Sequence, residues 1–444
     1  MTSFSYCNSR KYGKKKYFCR ENESHSDMKR PYLYLLTAVL SCCALLPSYA
    51  AVPIVTYHHI PYAHAERFCE SVLTDAFDPA QDHTKRGPMC PQHLTQEALD
   101  KWGRFDLKEM EESEDCLCLT VNTPREWKQG NDALPADSLL PVLVHIHGGA
   151  YSGGSGETAV NDLDELAAQE NIVTVTVSYR LNVFGFAYRP DIGCANLGLH
   201  DQMNALRWVR NHIREFGGNP DQVTLSGQSA GAQSVVYLLA EMEEPLIRYA
   251  AVFSAPMGMT RSKSDGKRHW RGMTRRYLKG IDPQTCSADT LRKAHTAYEK
   301  ARTVSIMTFA PTGLEQMPKQ LKIHPEKVLV CTQKDDGSLF GPKWLNGFVT
   351  HHVFTDTSRR YAKYLRKQGV DARFIEFDWM PRGSRYGATH CCELILFAGH
   401  TGNWIRTNLT GHELTEEEFE PLRSAFMRRL GHFVRTGEWD SQKE

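Results

Sequence analysis

The sequence predicts an α/β fold built around a mostly parallel central sheet. Short runs rich in β-branched residues at 143–146 and 172–177 predict buried strands. Segments with helical periodicity lie between and after these runs, and the clearest occupies residues 200–216 and stops at Gly217-Gly218. Strand, helix and strand in succession are typical of a parallel sheet with right-handed crossovers.

Each further element follows from its own pattern. NDLDELAAQE at 161–170 predicts the first crossover helix, and the second carries apolar residues at three- and four-residue spacing: Met203, Leu206, Val209, Ile213 and Phe216. Three more short apolar runs predict strands at 223–225, 328–330 and 374–377. Later helices are predicted near 359–367 and 416–435. The stretch 257–325 predicts a helical excursion at the carboxyl edge of the sheet, where ligands of open α/β sheets bind.

Composition excludes a disordered chain and gives no general reason to bind nucleic acid. The 444 residues are 41% apolar, and 53 basic and 52 acidic side chains leave a formal net charge of +1. A basic run from Arg261 to Lys279 has no stacking motif beside it and predicts a solvated loop-and-helix face. No nucleic-acid partner is therefore expected.

Residues 28–50 have the anatomy of a secretory signal. Lys29 and Arg30 precede an apolar stretch at 32–46, and Ser48-Tyr49-Ala50 supplies small residues at the cleavage site. We expect cleavage after Ala50 and a secreted or periplasmic protein without stable membrane insertion.

The domain organisation follows from this signal. Residues 1–50 are predicted to be an N-terminal extension plus signal peptide, and residues 51–444 a single domain. Translation from Met28 would give an ordinary signal, whereas translation from Met1 would favour membrane attachment by an uncleaved signal anchor.

The cysteines and histidines lack the spacing of metal sites. Nine cysteines remain after the predicted cleavage, without a CxxC pair, and no HExxH occurs. The stretch THCCE leaves the roles of Cys391 and Cys392 open between buried packing and a disulfide to a distant cysteine. No metal is expected.

The chemistry is predicted by a serine in the pattern Gly-Gln-Ser-Ala-Gly at 227–231. Ser229 follows the strand at 223–225 and precedes an apolar helix, and small neighbours permit the strained turn that exposes a nucleophilic hydroxyl. Upstream, His147-Gly148-Gly149-Ala150-Tyr151 ends another strand, where backbone N–H groups could stabilise an oxyanion. This combination predicts acyl-transfer chemistry.

Several motifs in order resemble the type-B carboxylesterase family, which includes the cholinesterases. The resemblance covers most of 57–440 and rests on these segments: IPYA at 60–63, SEDCLCLTVNTP at 113–124, PVLVHIHGGAYSGGS at 141–155, VTVSYRLNVFGF at 175–186, the stretch from NLGLHDQMN to GQSAGAQSV at 196–235, KDDGSLF at 334–340 and GATHCCELILFAG at 387–399. It implies one α/β-hydrolase domain with the triad order serine, acid, histidine.

Carried over by position, the resemblance implies Ser229 as nucleophile, Asp336 as acid and His390 as base. Asp335 is an alternative acid. In that mechanism His390 takes the serine proton and then protonates the leaving alcohol, while Asp336 orients the imidazole. No cofactor is needed.

The resemblance also implies supporting groups. The oxyanion donors would be Gly149, Ala150 and Ala230, and Cys116 would form a disulfide with Cys90 as its best partner. Two ion pairs would hold loops near the pocket, Arg67 with Glu114 and Arg180 with Asp201.

The chain also departs from the family pattern. The acid is Asp336 where glutamate is usual, and Gln228 precedes the nucleophile where glutamate is frequent. Acid and base are 54 residues apart, and the family normally inserts a longer helical segment there. We therefore expect a reduced helical cap and either a more open pocket or a pocket completed by a partner chain. The sequence does not give the oligomeric state.

These observations predict an exported serine hydrolase that cleaves small-molecule carboxylic esters with short- to medium-chain acyl groups. One alternative is a cholinesterase-like binding or adhesion protein that retained the fold without the chemistry. Another is a lipase, or a specialised deacetylase of sugars or natural products, on the same scaffold.

Overall fold

A computed structural model describes residues 52–439, except for 75–76, 94, 97–98, 101–104, 129–132, 303–306, 406 and 412–413. The predicted signal at 28–50 and the cleavage site after Ala50 lie outside the described residues. Among the described helices, none has the length and apolar character needed to span a bilayer.

An eight-stranded sheet forms the centre of the described chain. Its strands in chain order are β1 Val55–Pro61, β2 Cys118–Thr123, β3 Leu140–Ile146, β4 Val173–Val177, β5 Gly218–Gln228, β6 Tyr249–Phe253, β7 Lys327–Gln333 and β8 Asp371–Phe377. Their order across the sheet is β1-β2-β4-β3-β5-β6-β7-β8. The β1–β2 and β2–β4 pairs are antiparallel, and the other five pairs are parallel. The predicted mostly parallel sheet is confirmed.

Helices cover both faces of this sheet. In chain order the described ones are α1 Asp164–Glu170, α2 Asn182–Phe186, α3 Leu197–His212, α4 Ala230–Glu241, α5 Lys263–Met273, α6 Ala288–Lys300, α7 Asn346–Val349, α8 Asp356–Lys367, α9 Thr401–Trp404 and α10 Glu416–Thr436. A two-stranded ribbon, Ala63–His64 with Val72–Leu73, follows β1. The predicted excursion at 257–325 contains α5 and α6, and the basic run lies largely on exposed positions of α5 and the turn after it.

The described core contains two large apolar clusters and a small third one that includes Leu99 and Leu107. One large cluster contains Trp208 and Phe216 from the α3 region, and the other contains Phe253, Phe397 and Phe426. The inner strands are buried along most of their length, as β4 shows with five consecutive buried residues. Burial on both faces explains their continuous β-branched runs, because a parallel sheet carries helices on each side.

Three strands of the central sheet were not predicted from the sequence. β1 has the sequence VTYHHIP, whose paired histidines obscure the apolar alternation, and its register to β2 shifts between Tyr57 and Ile60. The buried strand β6 has the sequence YAAVF, where two alanines weaken the β-branched signal. The third, β2, lies within SEDCLCLTVNTP and was identified only as a family motif.

Candidate active site

Ser229 lies at the turn between β5 and α4. Its backbone angles are φ 57° and ψ −122°, a conformation that costs a non-glycine residue about 1–3 kcal/mol. Two backbone hydrogen bonds hold the turn: Ser229 N–H donates to the Phe253 carbonyl at 2.9 Å, and the Ser229 carbonyl accepts from Gln233 N–H at 3.0 Å. The predicted strained strand-to-helix turn is therefore present.

Close backbone approaches explain the glycines around this serine. A Cβ on Gly231 would lie 2.0 Å from the carbonyl oxygen of Ile146, and one on Gly227 would lie 2.4 Å from the carbonyl carbon of Gly231. A Cβ on Gly148 would lie 2.8 Å from the Gln228 carbonyl oxygen and 3.0 Å from Cβ of Ser229. The loop at 147–154 after β3, called here the glycine loop, thus packs directly against the turn at Ser229.

The structure brings Asp336 and His390 into contact. Nδ1 of His390 lies 2.6 Å from Oδ1 of Asp336, and both side chains are buried. Oδ2 of Asp336 accepts a second hydrogen bond, from Gln333 N–H at 2.9 Å. Asp335 instead accepts from the backbone N–H of Ala388 at 3.1 Å and so fastens the loop before the histidine.

The imidazole of His390 has three further neighbours. The amide nitrogen of Gln228 lies 3.3 Å from Nε2 of His390, a geometry in which the amide N–H donates and the ring nitrogen accepts. The rings of Phe340 and Phe354 each lie 5.0 Å from the imidazole, centroid to centroid. With Nδ1–H donating to Asp336, Nε2 carries the lone pair of the neutral ring and is its basic nitrogen.

Glu393 adds a second buried carboxyl near this pair. Gln333 donates to it at 2.6 Å, and burial followed by the negative charge of Asp336 raises the pKa of Glu393 to about 7. A carboxyl with this pKa loses its proton as the pH rises through neutrality. It follows His390 by three residues, and the spacing of one short helical turn could have indicated its position.

A cavity of about 330 Å³ opens at these residues. Ser229, His390, Gly149 and Ala150 line it, whereas Ala230 is the buried first residue of α4. The apolar part of the lining consists of Leu99, Leu107, Val160, Phe340, Leu394 and Trp404. The cavity therefore joins an apolar chamber to the predicted nucleophile, base and two of the three predicted oxyanion donors.

Gln92 fixes the glycine loop from outside the motif. Its side-chain oxygen accepts from Gly154 N–H at 2.6 Å, and its amide nitrogen donates to the carbonyls of Gly154 at 3.0 Å and Cys90 at 3.1 Å. Sequence reasoning missed this residue because no local pattern links it to a loop 62 residues away.

Both predicted ion pairs are confirmed: Nε of Arg67 lies 2.8 Å from Oε2 of Glu114, and Nη2 of Arg180 lies 2.7 Å from Oδ1 of Asp201. Each arginine also donates to a loop, since Arg67 reaches the carbonyl of Pro283 at 3.0 Å and Arg180 that of Cys69 at 2.8 Å.

The predicted disulfide between Cys90 and Cys116 is not formed in the structure. Both are free, buried thiols, and a hydrogen bond between the Cys116 thiol and Cys90, together with burial, raises the pKa of Cys116. The sulfurs are neighbours without being at bonding distance, so the pairing stays a prediction. Cys391 and Cys392 are also buried, and Cys391 lines the cavity at a φ of 72°.

Among the described side chains, no three His, Cys, Asp or Glu residues form a group suited to a metal ion. The chemistry that the site can perform with its own groups is nucleophilic attack by a serine, assisted by an imidazole and a carboxylate.

The chain is similar in sequence to known proteins. The sequence model of the Carboxylesterase family matches residues 46–368. The probable N-octanoylanthranilate hydrolase AqdA2 of Rhodococcus erythropolis is 29% identical over 423 residues, covering 86% of this chain and 89% of its own length. The para-nitrobenzyl esterase of Bacillus subtilis (strain 168) is 33% identical over 308 residues, which are 63% of this chain and 59% of that protein.

The structure is also similar to solved esterase structures. A PNB esterase structure superposes with a TM-score of 0.76 at 26% identity and covers 88% of each chain. A thermophilic PNB esterase superposes with a TM-score of 0.74 at 26% identity, over 88% of this chain and 89% of the other. The fold is thus the α/β-hydrolase fold. This protein is a carboxylic ester hydrolase and belongs to the carboxylesterase family.

Proposed function

We propose that Ser229, His390 and Asp336 form the catalytic triad that cleaves carboxylic esters through an acyl-enzyme. The observation that carries this proposal is the buried 2.6 Å contact between His390 and Asp336, at the cavity that Ser229 lines. Nε2 of His390 accepts the serine proton as Oγ attacks the carbonyl carbon, and the imidazolium then protonates the leaving alcohol. In the second half of the reaction, His390 takes a proton from water as the water attacks the acyl-enzyme, and the carboxylic acid is released from Ser229.

The oxyanion of the tetrahedral intermediate is assigned to the backbone N–H groups of Gly149, Ala150 and Ala230. Gly149 and Ala150 line the cavity with positive φ angles of 119° and 56°, and Ala230 follows the nucleophile at the N-terminus of α4. Removal of one such donor typically costs about 3 kcal/mol of transition-state stabilisation.

Short- to medium-chain acyl esters are the proposed substrates. The cavity volume of about 330 Å³ is at the lower end of the range for small-molecule sites, and its apolar wall suits an alkyl chain. The name of the Rhodococcus relative describes hydrolysis of an octanoyl compound, which favours including eight-carbon acyl groups.

Two further proposals accompany this function. The signal at 28–50 directs export and is cleaved after Ala50, and Cys90 and Cys116 form a disulfide in the oxidising compartment that the protein reaches. Mass spectrometry of the secreted chain, without reduction, would identify both its first residue and any linked peptides.

A fluorophosphonate probe tests the central claim. Folded wild-type protein should be labelled at Ser229, and Ser229→Ala should abolish labelling. Ser152→Ala is the matched control, because Ser152 lines the same cavity without a place in the triad. Absence of labelling in the wild type, or equal labelling of Ser229→Ala, would favour the binding-protein alternative.

A panel of 4-nitrophenyl esters tests the acyl range. Butyryl and octanoyl esters should be cleaved with the highest kcat/KM, and palmitoyl esters poorly. A preference for palmitoyl esters that increases at an oil–water interface would identify a lipase instead.

A further inference from the structure

The polar side chains that line the active-site cavity outside the proposed triad include Gln92, Thr95, Asn161 and Gln228. Three more are His93, His295 and Glu299, called here the polar wall. His295 and Glu299 are one turn apart on α6, and His93 comes from the segment before β2. An apolar ester needs none of these groups, so their presence requires a separate explanation.

Each member of the polar wall has a buried polar atom without a hydrogen bond. Within the described chain this holds for Nε2 of His93, Nε2 of His295 and Oε1 of Glu299. His295 is only 2% exposed. Its Nε2 lies 3.3 Å from Oε1 of Glu299, but the geometry is not that of a hydrogen bond. Buried polar atoms are nearly always satisfied in folded proteins, so a bound group is expected to complete them.

The helix that carries two of these residues is firmly positioned. The hydroxyl of Ser287 caps α6 by accepting from Thr290 N–H at 3.1 Å. Leu291, Ala294 and Tyr298 pack on its buried face, and the ring of His295 meets Phe309 edge-on at 5.3 Å. The polar atoms are therefore held in place before a ligand arrives.

The charges around the polar wall favour a neutral ligand. Burial, followed by the positive charges of Lys300 and Arg292, lowers the pKa of His93, and Glu299 only partly offsets them. This positive field disfavours an ammonium group, while the carboxylate of Glu299 disfavours an anionic one. A hydroxyl is neutral, and one hydroxyl can accept from an imidazole N–H and donate to a carboxylate at the same time.

We propose that the polar wall binds hydroxyl groups of the substrate, so that the enzyme prefers esters of polyols or of hydroxy acids over their unhydroxylated counterparts. The polar wall is then a specificity site, with His295 and Glu299 sharing one hydroxyl and His93 contacting a second. This inference rests on the proposed ester hydrolysis at Ser229.

Two substrate pairs test the inference and distinguish the two sources of the hydroxyl. Propyl butyrate is compared with 2,3-dihydroxypropyl butyrate, which places hydroxyls on the alcohol. Methyl butyrate is compared with methyl 3-hydroxybutyrate, which places one on the acyl group. The proteins are the wild type, His295→Phe, Glu299→Leu and the control Lys293→Ala, whose residue is exposed on α6 and does not line the cavity.

The wild type and Lys293→Ala should favour the hydroxylated member of at least one pair by about 10- to 100-fold in kcat/KM. His295→Phe and Glu299→Leu should each reduce that ratio at least several-fold. No preference in the wild type, or equal losses for both members of each pair, would overturn the inference. Failure of the wild type to cleave even 4-nitrophenyl butyrate would instead overturn the proposed function.

Discussion

Nδ1 of His390 and Oδ1 of Asp336 are 2.6 Å apart, whereas the neighbouring Asp335 bonds the backbone of Ala388. The shorter aspartate thus reaches the imidazole where the family usually has a glutamate. Asp336→Asn should lower kcat by about 10³- to 10⁴-fold, because the amide cannot stabilise the imidazolium or enforce its tautomer. Asp335→Asn should cost about tenfold or less. If steady-state kinetics show the larger loss for Asp335→Asn, Asp335 and not Asp336 is the triad acid.

A charge at position 228 should change the pH dependence of catalysis. Its amide nitrogen lies 3.3 Å from Nε2 of His390, so Gln228→Glu places a negative charge beside a ring that must be neutral to accept a proton. The acidic limb of the kcat/KM profile should move to higher pH by about one unit. Gln228→Leu, which removes the amide without adding charge, should not produce this upward shift.

The close approach of Gly148 predicts a catalytic defect from one methyl group. In Gly148→Ala the new Cβ would lie 2.8 Å from the Gln228 carbonyl and 3.0 Å from Cβ of Ser229, so the nucleophile turn must shift. We expect kcat to fall by about 10²-fold or more, since small misplacements at a reacting centre are costly. Gly347→Ala is the control, because its Cβ meets nothing within 4 Å.

Glu393 makes stability depend on pH near neutrality. Its pKa is raised to about 7 from the usual 4.5, so the folded protein retains a proton that the unfolded chain releases between these values. Stability contributed by this group therefore falls as pH rises from about 4.5 to 7. The free energy of unfolding of Glu393→Gln, relative to that of the wild type, should therefore increase across that window. The increase should be about 3 kcal/mol between pH 4.5 and pH 8.

Thermal unfolding at a series of pH values measures this effect as a Tm difference between variant and wild type. The exposed Glu417→Gln on α10 serves as control and should show no such trend. A constant Tm difference for Glu393→Gln would contradict the prediction.

Arg423 should be a major contributor to stability near the site. It is fully buried and donates to the carbonyls of Ile395 and Gly399 and to Glu165, each at 2.6 Å. Arg423→Met leaves these acceptors without their partner and should cost about 3–5 kcal/mol in urea unfolding. Arg428→Met, at an exposed position of α10, should cost less than 1 kcal/mol.

The sequence was most informative where chemistry and local structure coincide. Ser229 needs a strand, a turn and small neighbours within a few residues, and all of these are visible in the sequence. The pairing of Asp336 with His390 came from family motifs, because 54 residues separate them. The polar wall could not be predicted, because His93 and His295 are brought to one cavity only by long-range packing.

The antiparallel strands β1 and β2 illustrate a second limit. Paired residues of the two strands are far apart in the chain, as Val55 and Thr123 are, and pairing at that distance leaves no local pattern in either segment. Periodicity reports whether a segment is half-buried, but it does not report which strand lies beside it.

The packing of the three glycines also divides the site into parts that laboratory evolution can and cannot change. Gly148, Gly227 and Gly231 each face backbone atoms within 3 Å of a would-be Cβ, so random libraries that include them will mostly yield inactive clones. His295 and Glu299 line the cavity through their side chains on α6, so substitutions there change side-chain contacts and not the main chain of the Ser229 turn. A library confined to that helix should retarget the enzyme to new esters while most of its members remain folded.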